Sequence, residues 1–414
     1  MSATVTVLDQ GLTLIHQEIP HISTVTIDVW LRAGAGMETA TKRGVAHFVE
    51  HMVFKGTDRV KPGDFDRLVE AMGSVSSAAT SYDYTRYSLT TPKDHFPKVL
   101  PYLSELILYA AIPPAEMERE RQVVLAELSQ AWSDPDWITY QFLMATLFDN
   151  HPYGCPVIGS AEHINNLQVE DLRAFHQAYY QNQAITIVVV GALPVAEVVD
   201  QVRSLFAHTP RPAPSCPYLP IPTLEGVRRE EISLPALPHD RLLLAWLCPQ
   251  APTMAETIGM EILSLILGEG RSARLARELK PRVKEVSSGF VTQQWAGFFT
   301  ISAHLEGTYL EPVEHQILDQ VQLLATTPVT PTELKRAQKS LEHNFALLME
   351  SPAELAHFLG YHALLGVYDF CHHWHTAYPD LIHRTTPADL TTLAQTYLKP
   401  DRYVSIHVKS SPPS

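Results

Sequence analysis

The segment Asp171-Leu172-Arg173-Ala174-Phe175-His176-Gln177-Ala178-Tyr179 returns as Asp389-Leu390-Thr391-Thr392-Leu393-Ala394-Gln395-Thr396-Tyr397, an offset of 389 − 171 = 218, and an apolar run follows each copy. Toward the front of each half, Val29-Trp30-Leu31 and Ala245-Trp246-Leu247 align at a nearly equal offset, 246 − 30 = 216. A repeat of this length restricts the chain to two similar halves. Between them Thr209 to Pro222 contains six prolines, which remove backbone donors and keep a connection extended. The expected division is a first domain over 1–208, a linker over 209–222 and a second domain over 223–414. A chain of 414 residues with 45% apolar content is also too long for one ordinary core.

Within the first half, Val5–Val7, Leu12–His16 and Val25–Leu31 alternate in the manner of strands, broken by Gly11 and Pro20. A further strand pair is expected over Ser76–Ser81 and Thr85–Thr91. Phe65–Met72 has apolar residues at helical spacing and stops at Gly73. More helix is expected over Phe96–Leu108 and Met117–Leu147. The fold class expected of each half is α+β, an antiparallel sheet with helices packed on one face, giving two two-layer sandwiches.

A formal net charge of −14 argues against nucleic acid as a partner and is compatible with basic peptides. The four cysteines, Cys155, Cys216, Cys248 and Cys371, are widely spaced, so they read as buried thiols rather than as a disulfide framework or metal knuckle. No basic-then-apolar run opens the chain and no stretch is long enough to span a bilayer. No membrane association and a cytoplasmic location are therefore the default expectation.

The chemistry-bearing stretch is Gly44-Val45-Ala46-His47-Phe48-Val49-Glu50-His51-Met52-Val53-Phe54-Lys55-Gly56-Thr57. On a helix, His47 and His51 lie slightly more than one turn apart and can reach one ion, with Glu50 beside them. Histidines at this spacing also occur as structural sites or as core residues bonded to backbone. A carboxylate next to a metal-bound water can take its proton during attack on a carbonyl, and this favours a catalytic zinc. Such a site needs three protein ligands and one open position.

His-x-x-Glu-His resembles the signature of the pitrilysin and mitochondrial-processing-peptidase family, the M16 inverted zinc peptidases. The resemblance covers nearly the whole chain. It implies that Glu127 is the third zinc ligand, 127 − 51 = 76 residues beyond His51, and that Glu120, seven residues earlier on the same helical face, is the supporting carboxylate. It also implies that the strand carrying Ser77-Ala78-Ala79-Thr80 is the edge on which an extended substrate pairs. Where the family usually reads Asn-Ala-x-Thr, this chain has Ser77, whose hydroxyl reaches less far toward a scissile carbonyl. His151-Pro152-Tyr153-Gly154 is another family-like tetrapeptide. For His151 a place near the substrate cleft and an ordinary surface position are both open.

The second half has no His-x-x-Glu-His. Gly268-Glu269-Gly270-Arg271-Ser272-Ala273-Arg274-Leu275 lacks the Gly-Lys-Ser/Thr ending of a phosphate loop and reads as a glycine-containing interdomain loop. His372-His373-Trp374-His375 has no acidic neighbour at ligand spacing. Active relatives carry an arginine and a tyrosine seven residues apart in the non-zinc half, and the matching positions here are Lys280 and Ser287. Lysine keeps the charge without the planar fork. The resemblance therefore implies a zinc endopeptidase acting on short or unfolded peptides, as the zinc-bearing subunit of a heterodimer whose homologous partner supplies the arginine and tyrosine. Two alternatives stand beside it: a structural subunit of a larger complex that retains the motif, and a self-sufficient homodimer.

Overall fold

The computed structural model describes residues 2–206, 223–235, 237–248 and 253–411. The expected linker over 209–222 lies outside the described residues, as does Cys216.

The first sheet contains β1 (Thr4–Val7), β2 (Thr13–Glu18), β3 (Thr24–Leu31), β4 (Val75–Thr80), β5 (Thr85–Pro92) and β6 (Ile185–Gly191), in the order β1-β2-β6-β3-β5-β4. The second contains β7 (Arg228–Pro235), β8 (Asp240–Cys248), β9 (Val283–Val291), β10 (Gly297–Leu305) and β11 (Val404–Ser411), in the order β7-β11-β8-β10-β9. Neighbours are antiparallel except β2 with β6 and β7 with β11. The second sheet thus repeats the first without β1. Strand burial explains the order: β6, Ile-Thr-Ile-Val-Val-Val-Gly, is buried along its whole length and sits inside the sheet, whereas β4 alternates exposed and half-buried residues and forms an edge.

The helices are α1 (Val45–Val53), α2 (Asp64–Ala71), α3 (Phe96–Tyr109), α4 (Pro114–Ala131), α5 (Pro135–Leu147), α6 (Ala161–Asn166), α7 (Val169–Tyr179) and α8 (Val195–Leu205). They continue with α9 (Met254–Leu267), α10 (Arg274–Glu278), α11 (Leu310–Thr326), α12 (Pro331–Glu350), α13 (Pro352–Leu364), α14 (Tyr368–Arg384) and α15 (Pro387–Tyr397). The helical run over Met117–Leu147 is cut at Asp134. Pro135 keeps the residue before it extended, and the Asp134 carboxylate accepts from Asp136 N at 2.9 Å, so a new helix begins there.

The chain forms two compact units. One gathers Met1–Ala131, Cys155–Tyr218 and Leu347–His375, the other Trp132–Gly154, Leu219–Ala346 and Thr376–Ser414. Two segments therefore leave the half in which they occur: α5 packs on β7, β8 and β11, and α13 packs on β3 and β6. Both start with a capping residue followed by proline, Asp134-Pro135 and Ser351-Pro352, 352 − 135 = 217 residues apart.

In the first unit the two faces of the sheet are distinguishable at the β3–β5 pair. Tyr87 faces the main helical layer, its ring 5.7 Å from that of Phe54 and its hydroxyl 2.9 Å from that of Tyr180. Trp30 and Arg86, opposite each other in register, face the other way, toward α13. There the Arg86 guanidinium lies 5.6 Å from the Trp30 ring and contacts His357. A Cβ at Gly360 would stand 2.1 Å from Trp30 Nε1, so only glycine lets α13 rest on the indole.

In the second unit, Cys248 and α9 belong to the core, and the loop from Gly268 to Ala273 joins α9 to α10, held by Arg336 donating to the carbonyls of Leu265 and Glu269. That loop lies within the unit. Two carboxylates anchor this half. Arg274 donates to both oxygens of Glu333, at 2.7 and 3.1 Å, and holds its pKa down at about 2. Burial opposes the ionisation of Glu314, but hydrogen bonds from His407 and Tyr403, with Arg229 beside them, outweigh it and bring that pKa to about 2 as well.

Two outcomes follow. Gly360→Ala is expected to lower the unfolding free energy by roughly 1–3 kcal/mol through overpacking against a fixed ring, measured by denaturant titration. A variant as stable as the parent would remove the α13–Trp30 contact from the account. The depressed carboxylates stabilise the native state fully above the ordinary glutamate value of 4.5, and this contribution is lost as pH falls toward about 2. Stability measured on acidification should decline across that window, and less steeply in Glu333→Gln.

Candidate metal centre

The position of α1 is set before its histidines are reached. Gly44, its N-cap, has φ +86°, and a Cβ there would lie 2.6 Å from the Ile158 carbonyl; a Cβ at Gly159 would lie 2.8 Å from that of Arg43. The two glycines let these two turns touch. No side chain caps α1 from the usual position. Instead Glu38 Oε2 accepts from Gly44 N at 2.9 Å and Oε1 from Ala46 N at 2.8 Å, pairing the open donors of the first turn, while burial, only partly countered by these bonds, raises the Glu38 pKa to about 8. Val45, Ala46, Phe48, Val49, Met52 and Val53 are buried in the core. The remaining strip of α1, with His47, Glu50 and His51, faces α4 and β4.

On α4, Arg121 is buried and donates to the carbonyls of Ile164 and Leu167 at the end of α6, and its guanidinium lies 5.7 Å from the Phe48 ring of α1. This fixes α4 against α1 and brings Glu120 and Glu127 to the histidines. His47 Nε2 is 3.6 Å from Glu127 Oε1, His51 Nε2 is 3.4 Å from Glu127 Oε2, and the three ligand atoms lie within 4.8 Å of one another. A tetrahedral zinc with bonds of about 2.0–2.2 Å needs ligand atoms roughly 3.3–3.5 Å apart, so each histidine already lies near the required distance from an oxygen of Glu127, and a single bound ion draws the three donors closer together. His51 Nδ1 bonds to Glu120 Oε1 at 2.9 Å, which turns its Nε2 toward the other ligands. His47 Nδ1 is buried and without a hydrogen-bond partner. Among the described residues this is the one cluster of three or more such side chains with metal-binding spacing.

The electrostatics separate the two rings. Burial, reinforced by the neighbouring His51, lowers the His47 pKa to about 4, so this ring is in its neutral, ligating form. For His51 burial acts in the same direction but is outweighed by hydrogen bonds to Glu127 and Glu120 and by Glu50, and the pKa is raised. The bond from His51 holds Glu127 below its ordinary value. Burial raises Glu50, partly countered by Thr80, whose Oγ1 donates to Glu50 Oε2 at 2.6 Å.

The residues singled out in the sequence fall as follows. His47, Glu50, His51, Glu120 and Glu127 converge. Ser77 and Ala79 are exposed on β4, Ala78 and Thr80 are half-buried, and the strand pairs with β5 alone. Thr80 thus turns its side chain toward Glu50 rather than outward. His151 is neither a surface residue nor in the unit of the histidine pair: it is buried beside Phe148 and Tyr153, and its Nδ1 accepts from Tyr153 N at 3.2 Å. Lys280 follows α10 and is exposed, as is Ser287 on β9. His372 bonds to the Ala3 carbonyl. Sequence reasoning assigned no role to Glu38, Lys55 or Arg121. Lys55 stood within the quoted motif, and its ammonium lies 2.7 Å from Glu120 Oε2.

Comparison with known proteins places the chain in a family. The profile described as insulinase, peptidase family M16, matches residues 13–161, and that described as the peptidase M16 inactive domain matches 166–341. The chain is 28% identical over 342 residues to the zinc protease PqqE of Helicobacter pylori, covering 80% of this chain and 76% of that protein. It is 25% identical over 414 residues to the human mitochondrial-processing peptidase subunit beta, covering 95% and 81%. The crystal structure of a protease from Helicobacter pylori matches with a TM-score of 0.91 at 25% identity, over 98% of this chain and 99% of that one. A peptidase M16 inactive domain structure from Pseudomonas fluorescens shares the fold over the full length of both chains, with a TM-score of 0.88 at 19% identity. Two M16 profiles in tandem, relatives named as zinc proteases and a shared fold lead to one assignment: the protein belongs to the M16 peptidase family.

Proposed function

We propose that this chain is a zinc endopeptidase that cuts short or unfolded peptides, working as the zinc-bearing subunit of a dimer. The observation that carries the reading is the convergence of His47, His51 and Glu127 with the Glu50 carboxylate beside them. Zinc, when bound by those three ligands, supplies a Lewis acid for the scissile carbonyl and a water that ionises near neutral pH. Glu50 has Oε2 held by Thr80, which leaves Oε1 to accept the proton from water and deliver it to the departing amine. Glu120 orients His51. An extended peptide pairs through its main chain with the free side of β4, so length and lack of structure matter more than sequence.

The arginine and tyrosine of active relatives are absent at Lys280 and Ser287. This supports a homologous partner that supplies both, in keeping with a relative that is itself named a subunit. Lys280 acting in a homodimer is the competing arrangement.

Elemental analysis should find about one zinc per chain. Glu127→Gln should lose most of it, and Glu50→Gln should keep the metal but abolish cleavage. Full activity in Glu50→Gln would sink the mechanism. Zinc affinity should fall on acidification, because a proton on His51, favoured by its acidic neighbours, competes with the metal.

The isolated chain should cleave unstructured peptides slowly, leave folded proteins intact, and gain on the order of 10²-fold when a homologous subunit aligns the substrate. If the chain, shown by mass to be free of partners, already works at a rate no homologue improves, the homodimer replaces the heterodimer.

A further inference from the structure

The outer contacts of the two histidines are unequal. His47 Nδ1 is without a partner, whereas His51 Nδ1 rests on Glu120, and Glu120 in turn rests on Lys55. The Glu120 carboxylate is therefore the outer support observed for the histidine pair, and its two oxygens are divided between the imidazole, 2.9 Å away, and the ammonium, 2.7 Å away. Both members of the ion pair are largely shielded, with side-chain exposures of 29% for Lys55 and 10% for Glu120. The lysine is not loosely tethered. Its own N–H donates to the Met52 carbonyl, and the next residue, Gly56, has φ +99° and accepts from Ala111 N, so the turn after α1 is held from the α3 side.

We infer that Lys55 is a positioning residue that sets the zinc affinity of the site through Glu120; this rests on the zinc reading proposed above. With Oε2 fixed by the ammonium, Oε1 has one orientation, and the His51 ring, donating its Nδ1–H to that oxygen, presents Nε2 to the metal in one direction. Without Lys55 the carboxylate is free to rotate in its pocket, and the ring loses its stop. The direct effect of the charge has the opposite sign. A cation beside a zinc site repels the ion, so on Coulomb's law alone removing Lys55 tightens binding. The sign of the change thus separates positioning from simple electrostatics.

The test is a zinc dissociation constant, measured by competition with a chromophoric chelator, for the full chain and for Lys55→Met, Lys55→Arg, Glu120→Gln and the Lys55→Met/Glu120→Gln double variant. Outer contacts of metal ligands are typically worth 10–100-fold in affinity, and Lys55→Met is expected to weaken zinc by on the order of tenfold. Lys55→Arg should keep most of the affinity, and Lys55→Met should add nothing once Glu120 is Gln. Equal or tighter zinc binding by Lys55→Met overturns the inference, as does the same loss in the Glu120→Gln background. Circular dichroism of the zinc-free proteins is read alongside: a Lys55→Met chain that is unfolded while Lys55→Arg is folded also overturns it, in favour of a structural role. A parent chain that holds no zinc would instead overturn the underlying reading, and this is decided before any variant is made.

Discussion

The grip of Glu38 on the first turn of α1 is the interaction on which the candidate metal centre depends. Two backbone N–H groups at 2.9 and 2.8 Å would otherwise point into a closed interior, and a buried donor left unpaired costs about 1–3 kcal/mol. Satisfying them from a residue six positions before the cap also fixes the direction in which α1 leaves the Gly44–Gly159 contact. Once that direction is set, the apolar strip of α1 is buried and the histidine strip is aimed at α4. The guanidinium of Arg121 completes the arrangement from the other side by meeting the open carbonyl end of α6.

The local periodicities were legible in the sequence. Alternation located β3 and β5 to within a residue, because each is long, apolar on at least one face and bounded by turn residues. The repeat foretold two sheets of one topology. The convergence of five side chains at the candidate metal centre was also legible, though by unequal routes: helical spacing puts His47, Glu50 and His51 on one face, whereas Glu120 and Glu127 needed the family resemblance, since nothing local distinguishes them from the other acidic residues of α4.

What stayed hidden was mostly tertiary. Glu38 sits in an irregular stretch and looks solvated until the fold closes over it. Thr80 has the alternation of an edge residue, and only the proximity of α1 turns its hydroxyl into a donor for Glu50. His151 looks like loop because it precedes proline, yet the turn is packed between aromatic rings. Arg121 reads as the basic half of a charged helix, but burial makes it a carbonyl clamp. In each case the sequence specifies the group and the surroundings specify its partner.

The crossing of α5 and α13 into opposite units bears on how such a chain came to exist. A polypeptide of half this length would own a sheet it cannot fully cover and a helix it cannot place, and two identical copies would solve both problems by trading helices. Joining the copies end to end replaces a concentration-dependent encounter with a permanent one. From then on the halves need not stay alike. One can keep its histidines while the other gives them up, because each remains indispensable to its sibling through the helix it lends.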